Sequence, residues 1–108
     1  MVDIDKIAPQ IVEALKSLDP DKIILFGSYA YGKPTEDSDI DLFLIKDDLA
    51  DNEKRRYSID AHLMLKGLVK KYLLAFDILS ARKDELESRE DWFSKVDILK
   101  KGKVLYAK

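Results

Sequence analysis

Residues 23–45 read IILFGSYAYGKPTEDSDIDLFLI, two short apolar runs separated by a polar, breaker-rich segment. Runs of this length, β-branched or aromatic and bounded by Gly, Pro, Ser and Asp, read as two strands joined by a loop. The first run breaks at Gly27-Ser28, and the second is entered through Asp39-Ile40-Asp41. Side chains alternate along a strand, so Asp39 and Asp41 share a face with Phe43 and Ile45. Carboxylates clustered at the head of a partly buried face repel one another and resist desolvation unless a cation neutralises them.

Such a pair suits Mg²⁺, which takes oxygen ligands and uses one or two carboxylates, with water and substrate phosphates completing its shell. Gly27 permits close backbone approach, and Ser28 offers a hydroxyl and an N–H at the strand exit. If residues 29–31 turn helically, their N–H groups converge there as a phosphate cradle. Metal-binding carboxylates facing a phosphate cradle point to phosphoryl or nucleotidyl transfer.

Gly27-Ser28, ten intervening residues and then Asp39-x-Asp41 form a G-S-x10-D-x-D pattern that resembles the polymerase-β-like nucleotidyltransferase superfamily. The small size and the ending around Ile98–Tyr106 resemble its minimal nucleotidyltransferase branch. The family's third carboxylate lies in a later strand, a place that Asp77 takes in the apolar run of residues 73–79. Many minimal members read G-S-x-A-R-G, whereas Tyr31 stands here where the arginine would be.

The composition fits one soluble globular domain over residues 1–108, with 46% hydrophobic and 37% charged residues. No apolar run approaches the length of a membrane span, and the N-terminus lacks a signal-peptide layout. The absence of cysteine excludes disulfide and thiolate chemistry and suits a cytoplasmic protein. A net charge of −2 argues against a dedicated nucleic-acid surface.

Elsewhere the pattern is helical. Ile4, Ile7, Ile11, Leu15 and Leu18 predict an amphipathic helix over residues 4–18, with Pro9 inside it. A second helix is expected over residues 52–71, its stripe formed by Tyr57, Ala61, Met64, Leu65, Leu68 and Tyr72. His62, the single histidine, reads as a surface residue, and Lys54-Arg55-Arg56 as a solvated first turn. The run 73–79 reads as a strand apolar on both faces except for Asp77, where a buried charge demands a partner or a metal. A short charged helix over residues 84–89 follows. Trp92, Phe93, Val96 and Leu99 predict a final helix stopped by Gly102, and Val104–Tyr106 a closing strand. Lys100, Lys101 and Lys103 read as dipole-compensating cations of that last helical turn.

The expected fold is therefore α/β (α+β), a small mixed sheet with helices packed on one face and the carboxylates on the other. The resemblance implies a polymerase-β-like nucleotidyltransferase in which Asp39 and Asp41 hold two Mg²⁺ ions and Asp77 holds the one nearer the nucleophile and helps to deprotonate it. Gly27-Ser28 would seat the triphosphate of ATP. It further implies AMP transfer to a tyrosine of a HEPN-domain toxin, the chain acting as antitoxin. A non-catalytic binding antitoxin and a homodimeric small-molecule nucleotidyltransferase are the alternatives.

Overall fold

The computed structural model of the chain describes residues 3–32, 34–88, 98 and 100–108. The two apolar runs of residues 23–45 become β1 (Lys22–Phe26) and β2 (Ile40–Ile45). With β3 (Phe76–Ala81) and β4 (Lys103–Ala107) they form one sheet in the order β3-β2-β1-β4. β1 is antiparallel to both β2 and β4, while β2 and β3 are parallel. A parallel pair needs a long crossover, and α3 (Lys54–Met64) and α4 (Lys66–Tyr72) supply it. Among the described residues the chain also forms α1 (Ile4–Leu15), α2 (Ser28–Tyr31) and α5 (Lys83–Ser88).

Asp3 starts α1 by accepting a hydrogen bond from the Asp5 N–H at 3.1 Å. Ile7, Ile11 and Leu15 are buried along it, and Pro9 is accommodated on the exposed side. These residues meet Ile23 and Leu25 of β1, Ile40, Leu42 and Leu44 of β2, and Tyr57 and Ala61 of α3 in the main core. The opposite sheet face carries a second apolar cluster: Ile24, Phe26, Phe43, Ile45 and Ala81, joined by Leu86 and Ile98. Phe26 and Phe43 pack edge to face with ring centroids 6.5 Å apart. Helices α1 and α3 thus cover one face as expected, and the short α5 adds Leu86 to the other.

Three local readings change. The helix expected over residues 52–71 is preceded by a 3₁₀ turn at Asp51–Glu53 and broken between α3 and α4 at Leu65. Leu65 itself is fully buried, whereas Met64, placed in the apolar stripe by periodicity, is exposed. Gly67, next to the break, lowers helix propensity locally. The third strand begins at Phe76 rather than Leu73, because α4 ends with Leu73 in the left-handed conformation (φ 56°, ψ 52°). Its two faces are not both buried: Asp77 and Leu79 are exposed. The expected short helix is α5, with Arg89 outside the described residues. Trp92, Phe93, Val96 and Leu99 also lie outside them. Gly102 is described, and close packing sets its place, since a Cβ there would collide with the Ile98 carbonyl oxygen and Ile24 Cγ2.

Candidate active site

The strand registers bring the distant carboxylates together. Phe26 stands opposite Asp41, and Asp41 opposite Asp77, so one row across the sheet reads Phe26, Asp41, Asp77. Adjacent strands lie about 5 Å apart, which makes the two aspartates direct neighbours. Asp39 precedes the first residue of β2 and shares the parity of Asp41. The row continues from the apolar cluster of Phe26, Phe43 and Ile45, so Asp41 has hydrocarbon on one side and acids on the other.

Gly27 meets this row at the exit of β1. Its backbone is in a glycine-only conformation (φ 74°, ψ −158°). A Cβ at this position would fall on the Asp41 carboxylate, only 3.0 Å from Cγ and overlapping Oδ2. The glycine therefore admits the carboxylate against the backbone. α2 starts at once: its Ala30 and Tyr31 N–H groups donate to the Gly27 carbonyl at 3.0 and 3.2 Å. The N–H groups of Ser28 and Tyr29 have no intrahelical acceptor in this first turn. Buried Tyr29 anchors the turn in the main core, and Gly32 ends it in the left-handed region (φ 77°).

Burial first, then the negative charges of Asp77 and Asp39, push the Asp41 carboxyl up to about 6. Asp39 and Asp77 are exposed, and Asp41 is half-buried. The exposure of Asp77 removes the argument that burial alone demands a counter-ion there; its place opposite Asp41 is what gives it significance. Among the described residues, no three His, Cys, Asp or Glu side chains enclose a ready metal cage. The arrangement is an open acidic rim beside a backbone turn.

Residues 8–105 match the family model of the nucleotidyltransferase domain. The chain belongs to that family. This nucleotidyltransferase is 34% identical over 105 residues to a Methanocaldococcus jannaschii protein whose name carries the provisional assignment protein adenylyltransferase. The match covers 94% of this chain and 97% of the relative. Among solved structures, a toxin–antitoxin with AMP-PNP is similar with a TM-score of 0.64 at 23% identity, over 94% of this chain and 73% of the other. The toxin–antitoxin MntA–HepT gives a TM-score of 0.57 at 21% identity, over 96% and 73% respectively. At such identities these two establish the likeness of fold.

Other polar candidates in the nucleotidyltransferase have different partners. Lys103 pairs with Asp5 at 3.2 Å. Lys54 pairs with Glu85 and with Asp51, and Arg56 with Asp60. His62 is exposed on α3. Lys101 is placed differently: its Nζ lies 5.5 Å from the centroid of the Tyr31 ring. A cation thus stands over Tyr31, a pairing that no local sequence signal announced. Sequence reading also missed a cavity of about 250 Å³ between the loop ending at Asp39 and the turn at residues 72–75. A larger groove of about 480 Å³ lies between α1 and β4 and contains none of the acidic row. Among the described residues no helix is long and apolar enough to cross a membrane.

Proposed function

We propose that this nucleotidyltransferase moves AMP from ATP to a protein hydroxyl, a tyrosine of a HEPN-type toxin partner, and so acts as an antitoxin in the cytoplasm. One observation carries the reading: the Gly27 backbone lies against Asp41 while Asp41 stands in register with Asp77. The name of the Methanocaldococcus jannaschii relative supports a protein acceptor. The similar toxin–antitoxin structures, one of them with AMP-PNP, support the nucleotide and the partner class.

The donor set fits Mg²⁺: it is all oxygen, acidic and open, as suits an ion that completes its shell with water and phosphate. Asp39 and Asp41 would hold two ions, with Asp77 serving the one nearer the acceptor. When bound, Mg²⁺ neutralises the phosphate charge and makes the acceptor hydroxyl easier to deprotonate. The chain's own part is positional. Ser28 and the turn after Gly27 orient the β- and γ-phosphates, and Asp77 accepts the hydroxyl proton. The acceptor oxygen forms a bond to the α-phosphorus, the bond from that phosphorus to the bridging α–β oxygen breaks, and pyrophosphate departs.

The test is label transfer from α-³²P-ATP with Mg²⁺ into a lysate of the source cells, followed by mass spectrometry of the labelled residue. A protein hydroxyl carrying AMP, absent with Asp39→Asn/Asp41→Asn, is the expected result. Label confined to small molecules would overturn the protein acceptor. Toxin inhibition that survives the double substitution would instead favour neutralisation by contact.

A further inference from the structure

Two anchors fix the chain on either side of Lys101. Ile98 is buried in the apolar cluster with Ile24, Phe26, Phe43 and Ile45, on the sheet face that carries Asp41. Gly102 packs so closely against Ile24 and the Ile98 carbonyl that a Cβ has no room. From Lys103 the chain enters β4, with Lys103 opposite Leu25 and Val104 opposite Ile24. Lys101 is therefore held beside β1, the strand that ends at Gly27.

Its Nζ lies 5.5 Å from the centroid of the Tyr31 ring, on the turn α2. Residues three apart in a helical turn share a face, and their side chains lean towards its start. Tyr31 thus shares the face of Ser28 and leans back towards it. Tyr29, between them, points the other way into the main core. The ammonium consequently stands on the Ser28 side of the turn, at the β1 end of the acidic row, while Asp77 occupies the β3 end. A π face attracts a cation without neutralising it as a carboxylate would. The ring contact orients the ammonium and preserves its charge.

We propose that Lys101 is the cation of the triphosphate seat: its ammonium donates hydrogen bonds to the β- and γ-phosphates, and the Tyr31 ring positions it. The inference rests on the phosphate seat proposed at Gly27-Ser28. Asp39, Asp41 and Asp77 repel a polyanion. A cation at the opposite end of the row from Asp77 draws the triphosphate into one orientation, its tail towards β1. In the transfer step the electron pair of the broken α-phosphorus–oxygen bond stays on the bridging oxygen, which leaves with pyrophosphate. Lys101 keeps its proton and stabilises that developing charge electrostatically. Lys103 is placed elsewhere, pairing with Asp5 at 3.2 Å beside α1.

The test compares AMP-PNP with AMP, each with Mg²⁺, by titration calorimetry; the two ligands differ only beyond the α-phosphate. Wild type should bind AMP-PNP at least tenfold more tightly than AMP. Lys101→Gln should weaken AMP-PNP at least tenfold and change AMP less than twofold. Lys101→Arg, which keeps the charge, should stay within threefold of wild type. Tyr31→Phe keeps the ring and should bind as wild type does, whereas Tyr31→Leu should weaken AMP-PNP at least threefold. Lys103→Gln should change neither ligand. On the wild-type chain, AMP-PNP but not AMP should protect Lys101 from acetylation, read by mass spectrometry. Unchanged AMP-PNP affinity in Lys101→Gln, equal loss of both ligands, an equal effect of Lys103→Gln, or no protection of Lys101 overturns the inference while leaving the transfer reading standing. Unchanged affinity in Tyr31→Leu removes the positioning role of the ring. Wild type that binds AMP as tightly as AMP-PNP overturns both the inference and the assignment of the phosphate seat.

Discussion

Alternate residues of β2 face opposite demands. Ile40, Leu42 and Leu44 point into the main core and are completely buried, whereas Asp41, Phe43 and Ile45 point the other way. The two sets are formed by one backbone, yet one set only stabilises, and the other gives up stability at its first member. Asp41 stands among aromatic neighbours and two like charges, a placement no folding argument would choose. That difference separates residues that hold the sheet from the residue the sheet is holding. The strongest test is Asp41→Asn, which keeps the shape and removes the charge. Transfer of label from ATP should fall at least a thousandfold, about 4 kcal/mol of transition-state stabilisation, while circular dichroism stays native. A rate within tenfold of wild type would remove Asp41 from the site.

The helix-side face should respond in the opposite sense. Leu42 is fully buried, so Leu42→Ala should cost about 3 kcal/mol in urea unfolding through lost burial and the cavity left behind. The transfer rate per folded molecule should change less than threefold. If folded Leu42→Ala protein lost transfer as Asp41→Asn does, the two faces would not be functionally distinct.

How much of this was readable beforehand follows the same division. β1, β2 and the turn between them were legible because their apolar runs are sharply bounded by Gly27-Ser28 and by Asp39 and Asp41. β3 was placed too early, since Leu73, Leu74 and Ala75 are as apolar as the strand that follows. Hydropathy cannot see that the backbone at Leu73 turns left-handed and ends a helix. The opposition of Asp41 and Asp77 depends on a parallel register between segments separated by two helices. Local periodicity carries no such information; Asp77 was suggested by the family resemblance and by the expectation of a buried charge, and its exposure removes the second of these. The cavity at residues 36–39 and 72–75 was invisible for the same reason, being made where two approaches to the sheet converge.

Two glycines sharpen the contrast between the acidic row and ordinary loop. Gly27 and Gly32 have nearly the same φ, 74° and 77°, but a Cβ at Gly27 meets Asp41 while one at Gly32 meets nothing within 4 Å. Gly32→Ala should therefore cost about 1 kcal/mol, the backbone penalty alone. Gly27→Ala should cost about 2 kcal/mol more, from displacing the carboxylate or distorting the turn, and should also depress transfer. Equal stabilities by denaturant titration would mean that Asp41 moves aside freely, and the close approach would lose its significance.

The smallest effect is the most diagnostic of what Asp41 does to the fold. Its carboxyl is raised from an ordinary 3.8 to about 6, so the folded state holds the proton more tightly than the unfolded chain. The stabilisation this gives is complete below the unfolded value and is lost as pH rises through the folded one. Unscreened, the difference would be about 3 kcal/mol; solvent at this half-exposed group reduces it to about 1 kcal/mol. In EDTA, Asp41→Asn should therefore match wild type near pH 4 and exceed it by about 4 °C in Tm at pH 7. If the proposed site holds Mg²⁺, the ion at millimolar concentration should narrow the pH 7 gap by stabilising the wild type through the ionised carboxylates of the native state. A gap that ignores pH would show that burial and like charge do not govern Asp41. A gap that tracks pH but ignores Mg²⁺ would leave the strain in place and take the metal away.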